Sequence, residues 1–179
     1  MVYLMLADGF EEIEALTPLD ILRRAGIPVT TVGVGGKTIR GAHNISVVAD
    51  IETNEMDLSA VSAIILPGGM PGTLNLKADK SVEKAILSAN KKGLLIAAIC
   101  AAPSILGNLG LLGGKNAVCF PGFENELNGA IISEKSVVRS DNFITAAGAG
   151  VAAEFGFEIL TYLKNEETAD NLRKSMLYK

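Results

Sequence analysis

The chain has 179 residues, 49% hydrophobic and 20% charged, with a formal net charge of −4. That composition excludes a disordered chain, and two cysteines exclude a disulfide scaffold. A sequence pI near 5.1 argues against a nucleic-acid partner, because phosphate binding needs a basic face.

Residues 2–6 are an apolar run without alternation, the pattern of a strand covered on both faces of a parallel sheet. No basic region precedes the run and it leads straight into Asp8, so it does not read as a secretory signal. Residues 11–25 read as a helix ended by Gly26 at C′, with Pro18 expected to kink it or mark a restart. Within it, Ile13 and Leu16 are assigned to the apolar stripe. Residues 29–34 form a second strand-like run, and residues 35–50 a glycine-containing excursion with β character. A third run, 63–66, precedes a helix whose apolar face is Val82, Ala85, Ile86 and Ala89, at i, i+3, i+4, i+7 spacing. The fourth run covers residues 94–99. Residues 113–139 are the least regular, with 117–119 as a possible short strand and Phe120-Pro121-Gly122 as a turn signal. Residues 143–146 form the fifth run. Val151, Phe155, Ile159 and Leu163 then mark a helix, its stripe widened by Ala152 and Leu160.

Strands alternating with helices predict an α/β domain: a doubly wound, mostly parallel central sheet with helices on both faces, over residues 1–179. The longest apolar stretch, residues 93–103, is far shorter than the roughly 20 residues that span a bilayer. The expectation is therefore a cytoplasmic protein with no membrane partner, in a reducing compartment where either cysteine can work as a thiol.

Three segments can carry chemistry. The run Leu95-Ile96-Ala97-Ala98-Ile99 stops at Cys100, followed by Ala101-Ala102-Pro103. A thiol between a buried strand and a helix start, flanked by small residues, has the layout of a nucleophile elbow. The helix dipole and free N–H groups there favour thiolate, whereas the bland alternative is a space-filling cysteine. Leu66-Pro67-Gly68-Gly69 ends another strand in glycines that let N–H groups converge on an anion; the plain alternative is a tight turn. In Asp8-Gly9-Phe10-Glu11-Glu12-Ile13-Glu14 the three glutamates, at the start of a helix, complement its dipole. Glu14 lies nearer the buried side than Glu11, yet the residues alone favour a solvated carboxylate. His43, the single histidine, reads as a surface residue. One His and two separated Cys offer no metal-ligand cluster. Cys119 reads as a buried filler.

Together these segments resemble the ThiJ/PfpI superfamily, and most closely its DJ-1 branch. The matching residues are 7–14, Pro18 to Gly26, Leu66-Pro67-Gly68-Gly69, and Ala97 to Pro103 around Cys100, in the expected order. The resemblance implies a flavodoxin-like sandwich that forms a homodimer and needs no cofactor. It implies that Cys100 is the reactive, oxidation-sensitive cysteine. Glu14 is then the protonated glutamate that hydrogen-bonds its sulfur, and Gly69 and Ala101 supply N–H groups to an oxyanion or sulfinate oxygen. The implied activities are glutathione-independent glyoxalase or deglycase chemistry on small aldehydes and dicarbonyls, redox sensing, and chaperone action. Two departures stand out. Phe120-Pro121 replaces a His-Pro pair that would line the pocket, and Ala147 replaces an arginine found in human-like members. Loss of that His argues against hydrolase chemistry. Leu16, Leu19 and Ile21 around Pro18 are read as surplus apolar surface for a dimer contact.

Overall fold

The computed structural model describes residues 1–178. In chain order the elements are β1 (Val2–Ala7), α1 (Glu12–Arg24), β2 (Val29–Val34), β3 (Thr38–Arg40), β4 (Ser46–Val48), β5 (Ile51–Glu52) and β6 (Ala63–Leu66). Then follow α2 (Gly72–Ala78), α3 (Lys80–Lys91), β7 (Leu95–Ile99), α4 (Pro103–Asn108), β8 (Asn116–Ala117), β9 (Ile131–Ile132), β10 (Val137–Ser140), β11 (Phe143–Ala146), α5 (Ala152–Leu163) and α6 (Glu166–Ser175). Seven strands form the central sheet in the order β10-β11-β7-β6-β1-β2-β5. All neighbours are parallel except β10, which runs antiparallel to β11. The excursion at 35–50 is the β3–β4 antiparallel hairpin.

The strands β1, β6, β7 and β11 are buried along their whole length because helices cover both faces. Residues of α1, α5 and α6 pack on one face. Those of α2, α3 and α4 pack on the other. The predicted stripe of α3 is its buried face, Val82, Ala85, Ile86 and Ala89. Asp79 caps that helix by accepting the N–H groups of Ser81 and Val82.

Several expectations are revised. Helix α1 runs unbroken through Pro18 rather than restarting there. It ends in a Schellman motif: Gly26 has φ +72°, its N–H donates to Arg23 C=O, and Ile27 N–H donates to Leu22 C=O. Ile13 does not join the apolar stripe; it is 53% exposed, while Glu12 and Glu14 on either side are buried. The reason is a rotation of the buried arc, since α1 packs on the sheet and also under α5. That second contact absorbs Leu19 and Ile21, so they are core rather than surplus surface. At the crossing, Gly156 of α5 lies on Pro18: a Cβ there would sit 3.0 Å from Pro18 Cα and 2.9 Å from Ile21 Cδ1. The possible strand at 117–119 is only the two residues of β8.

After β1 the chain goes to β2 on one side, then crosses to β6 on the other. Crevices at such a reversal, outside the strand C-terminal ends, are where open α/β sheets bind ligands. The segments that follow β1, β6 and β7 meet there.

Candidate active site

The elbow is strained and held. Cys100 has φ +64°, a left-handed conformation that costs a non-glycine residue about 1–3 kcal/mol and persists only where the surroundings enforce it. They do so here through both backbone groups. Cys100 N–H donates to Ala146 C=O at 2.8 Å, and Cys100 C=O accepts from Phe120 N–H at 2.7 Å. Ala101 and Ala102 are buried, and Pro103 opens α4 where no N–H donor is needed.

Glu14 faces this sulfur. It is 1% exposed, which corrects the solvated reading favoured by the residues alone. One carboxyl oxygen, Oε2, accepts the Gly68 N–H at 2.9 Å, and the carboxyl also hydrogen-bonds Cys100. Gly68 makes this approach possible, because a Cβ on it would stand 2.6 Å from Cys100 Cβ and 2.7 Å from Glu14 Oε2. Its neighbour Gly69 has φ +88° and packs on the backbone of Glu11. The Gly69 and Ala101 N–H groups both donate to the sulfur. The geometry thus assembles Glu14, Gly69 and the Cys100-Ala101 elbow from three separate segments.

Burial pushes Glu14 up to about 7, with the Glu11 carboxylate adding to the rise and the Cys100 and Gly68 hydrogen bonds opposing it. Burial also pushes Cys100 up to about 12, reinforced by the charge and hydrogen bond of Glu14 and opposed by the Gly69 and Ala101 N–H groups. This differs from the expectation that a helix N-terminus would lower the thiol. Helix α4 has only six residues, so its dipole is small, and one negative charge on the pair opposes a second. The two groups titrate as one unit: the first proton leaves near 7 and the second near 12.

Phe120 stands at the rim. Its backbone is tied to the elbow, and its ring lies on the turn at Gly148, where an added Cβ would meet ring atom Cδ2 at 3.4 Å. Cys119 points the other way, into the opposite core, and Phe123 N–H donates to its sulfur. The two thiols therefore serve different faces of the sheet.

One cluster beside the site escaped the sequence reading. His43 is a surface residue as expected, but its Nδ1 lies 2.9 Å from Glu12 Oε2 and 3.5 Å from Glu11 Oε2. Glu12 Oε1 accepts the backbone N–H groups of His43 and Ile45. Burial alone would raise Glu12, but these bonds hold it below the usual carboxylate range and raise His43. The count of one His and two Cys as no ligand cluster omitted carboxylates; the fold brings ligand-type atoms of Glu11, Glu12 and His43 within 4.8 Å of one another. Gly41 makes the approach possible, because a Cβ there would meet Glu12 Cγ at 2.7 Å. No helix of the described residues is long and apolar enough to cross a membrane.

A parallel-sheet α/β sandwich with a cysteine on a strained elbow, paired to a buried glutamate, defines a class of flavodoxin-like cysteine-elbow proteins. The chain belongs to the DJ-1/PfpI family, whose sequence model matches residues 1–162. It is 34% identical over 176 residues to protein dj-1beta of Drosophila melanogaster, covering 97% of this chain and 94% of that protein. It is 29% identical over 175 residues to the glutathione-independent glyoxalase DJR-1.2 of Caenorhabditis elegans, covering 97% and 93%. The solved structure of oxidized Toxoplasma gondii DJ-1 superposes with a TM-score of 0.95 at 32% identity, covering 99% of this chain and 97% of that one. These relatives place the chain in the DJ-1 branch.

Proposed function

We propose that the chain is a cofactor-independent cysteine enzyme acting on small reactive dicarbonyls, with glyoxalase-type chemistry. The observation that carries this reading is Glu14, a buried acid in hydrogen-bond contact with the Cys100 thiol and poised to titrate near 7. A general acid/base works best with a pKa near the operating pH. The similarity to a glutathione-independent glyoxalase supports the same chemistry.

In the pair's singly charged state, one proton is shared between the Glu14 carboxyl and the Cys100 sulfur. Two N–H donors face the sulfur, against one facing Glu14 Oε2, which favours thiolate with protonated Glu14. The thiolate adds to the aldehyde carbon of methylglyoxal, and the new alkoxide takes the Glu14 proton to give a hemithioacetal. Glu14 then removes the proton on that carbon and returns it to the neighbouring carbon, while the hydroxyl proton passes to the neighbouring carbonyl oxygen, converting the adduct into a lactoyl thioester. Water cleaves the thioester, releasing lactate and restoring the thiol. Gly69 and Ala101 N–H groups stabilise the negative charge at each addition step. The net change is methylglyoxal plus water to lactate and a proton, so no external oxidant or reductant is consumed.

A second reading is a redox sensor in which peroxide oxidises Cys100 to sulfinate. The same two N–H groups and protonated Glu14 would bind the new oxygens. Dicarbonyl turnover separates the two: lactate formation that disappears in Cys100→Ala supports the enzyme. No lactate, with stoichiometric sulfinate by intact mass after peroxide, supports the sensor. Phe120 in place of a pocket histidine disfavours amide hydrolysis. By its likeness to the DJ-1 branch we also assign the protein a homodimer and a cytoplasmic location. The exposed Ile13, Ile45 and Val48 are apolar surface available to such a contact.

A further inference from the structure

The walls of the site differ in character from its floor. At the rim stands Phe120, a large apolar side chain that is 48% exposed. Two contacts fix it: its N–H bond to Cys100 C=O, and the packing of its ring on the Gly148 turn. The Cδ2–Cε2 edge of the ring is thereby turned to the Gly148 turn, while about half of the side chain stays open to an incoming molecule. Met70, half-exposed, follows the Gly69 whose N–H reaches the sulfur. The turn after β11 adds Ala147 and Ala149, which carry no charge. The charge that acts on the Cys100–Glu14 pair from outside is the Glu11 carboxylate, which disfavours a second anion.

We propose that this site selects neutral aldehydes bearing an aryl substituent, with Phe120 as the specificity-determining residue, and disfavours aldehydes that carry a carboxylate. An aromatic pair in offset or edge-to-face contact is favourable beyond its buried area, enough for a preference of a few-fold to about tenfold. An anion such as glyoxylate meets Glu11, and the cationic group beside Glu11, His43, is already shared between Glu12 at 2.9 Å and Glu11 at 3.5 Å. The inference rests on Cys100 being the atom that meets the carbonyl, as in the proposed function, but not on turnover.

The test is protection of Cys100 from iodoacetamide, read by peptide mapping, with phenylglyoxal, methylglyoxal and glyoxylate as probes. Each is scored against the same aldehyde's protection of free N-acetylcysteine, which removes intrinsic electrophilicity. The expected order is phenylglyoxal, then methylglyoxal, then glyoxylate. In Phe120→Ala and Phe120→Leu the ratio of phenylglyoxal to methylglyoxal protection falls to that of the free thiol. In Glu11→Gln the disadvantage of glyoxylate shrinks. Phe120→Leu keeps apolar bulk at the rim, so a folding failure of the alanine variant does not void the test. An unchanged aryl ratio in Phe120→Leu overturns the role of Phe120. Glyoxylate protecting as well as methylglyoxal in the unsubstituted protein overturns the charge selection. The ranking without lactate production refutes the glyoxalase reading and leaves this one standing. Robust turnover with no dependence on residue 120 does the reverse.

Discussion

The sulfur of Cys100 receives two N–H donors and one acidic neighbour, and these act in opposite directions. With the Glu14 carboxylate ionised, the thiol is held up at about 12; with the proton on Glu14, the repulsion is replaced by a donated hydrogen bond. The nucleophile is therefore a property of the pair, and its pH dependence should follow loss of the first proton. Dicarbonyl turnover is expected to rise with an apparent pKa near 7, the value to which burial raises Glu14. Glu14→Gln keeps a donor but removes both the negative charge and the transferable proton. Its Cys100 should titrate well below 12, by ultraviolet thiolate absorbance, while turnover falls roughly 10²–10⁴-fold. Glu14→Leu should lose turnover equally, and full activity in that variant would exclude a proton shuttle. Cys119 offers the internal comparison. It is buried in the opposite core and raised to about 11 by burial, with no acid sharing its proton. Limited alkylation with peptide mapping should label Cys100 far faster, and preferential labelling of Cys119 would contradict the assignment.

At the scale of elements, two glycines in or near the same helix pair separate steric from conformational constraint. Gly156 has ordinary backbone angles but touches α1, and any side chain there meets Pro18 Cα, which cannot swing aside. Gly156→Val should destabilise the protein by about 1–3 kcal/mol, read from urea midpoints, despite the better helix propensity of valine. Gly26 is the reverse case: nothing lies within 4 Å of an added Cβ, but φ is +72°. Gly26→Ala should cost only about 1–2 kcal/mol, from the left-handed conformation. Equal stability of Gly156→Val and the unsubstituted chain would show that α5 can shift off α1. Much of this level was legible in the sequence. Continuous apolar runs located β1, β6, β7 and β11 because both sheet faces are covered, and the 3.6-residue spacing marked α3 because that helix buries one stripe. Helix α1 misled the same logic: packed on two sides, it buries a wide arc that includes Glu12 and Glu14 while exposing Ile13. Periodicity assumes that acids face water, and the rule fails where a carboxyl is kept dry for chemistry. The elbow at Cys100 was visible because small residues and a proline punctuate a strand end. The partnership of Glu12 with His43 was not, because it joins a helix start to a hairpin 31 residues away and no local pattern records it.

For the whole molecule, the buried acid makes stability fall where most proteins gain it. A carboxyl whose folded pKa is about 7, against an ordinary 4.5, binds its proton more tightly when folded. Its stabilising contribution is complete below pH 4.5 and is lost as the pH rises through about 7. The span of roughly 2.5 pH units corresponds to about 3 kcal/mol as an upper value. His43, raised by its bond to Glu12 and the charge of Glu11, acts in the same sense: its contribution is present below its ordinary 6.5 and is lost at higher pH. Opposing both are Glu12, Asp50 and Glu126, all held below their ordinary values. Burial of Glu12 and Asp50 works against that lowering but is outweighed, by the bonds to His43 and Ile45 for Glu12 and by Thr31 and Arg23 for Asp50. Glu126 is lowered by Lys77 and Asn108. Their contributions are present above the ordinary carboxylate pKa and are lost as the pH falls below it, so acid also destabilises. The maximum should lie near pH 5, and urea unfolding at pH 5 and pH 8 should show the fold weaker at pH 8. Glu14→Gln removes the larger alkaline loss and should leave only the smaller one from His43. A free energy of unfolding at pH 8 that equals the value at pH 5 in the unsubstituted protein would mean that Glu14 ionises in the fold as freely as in water, and the proton it is assigned to carry would not be there.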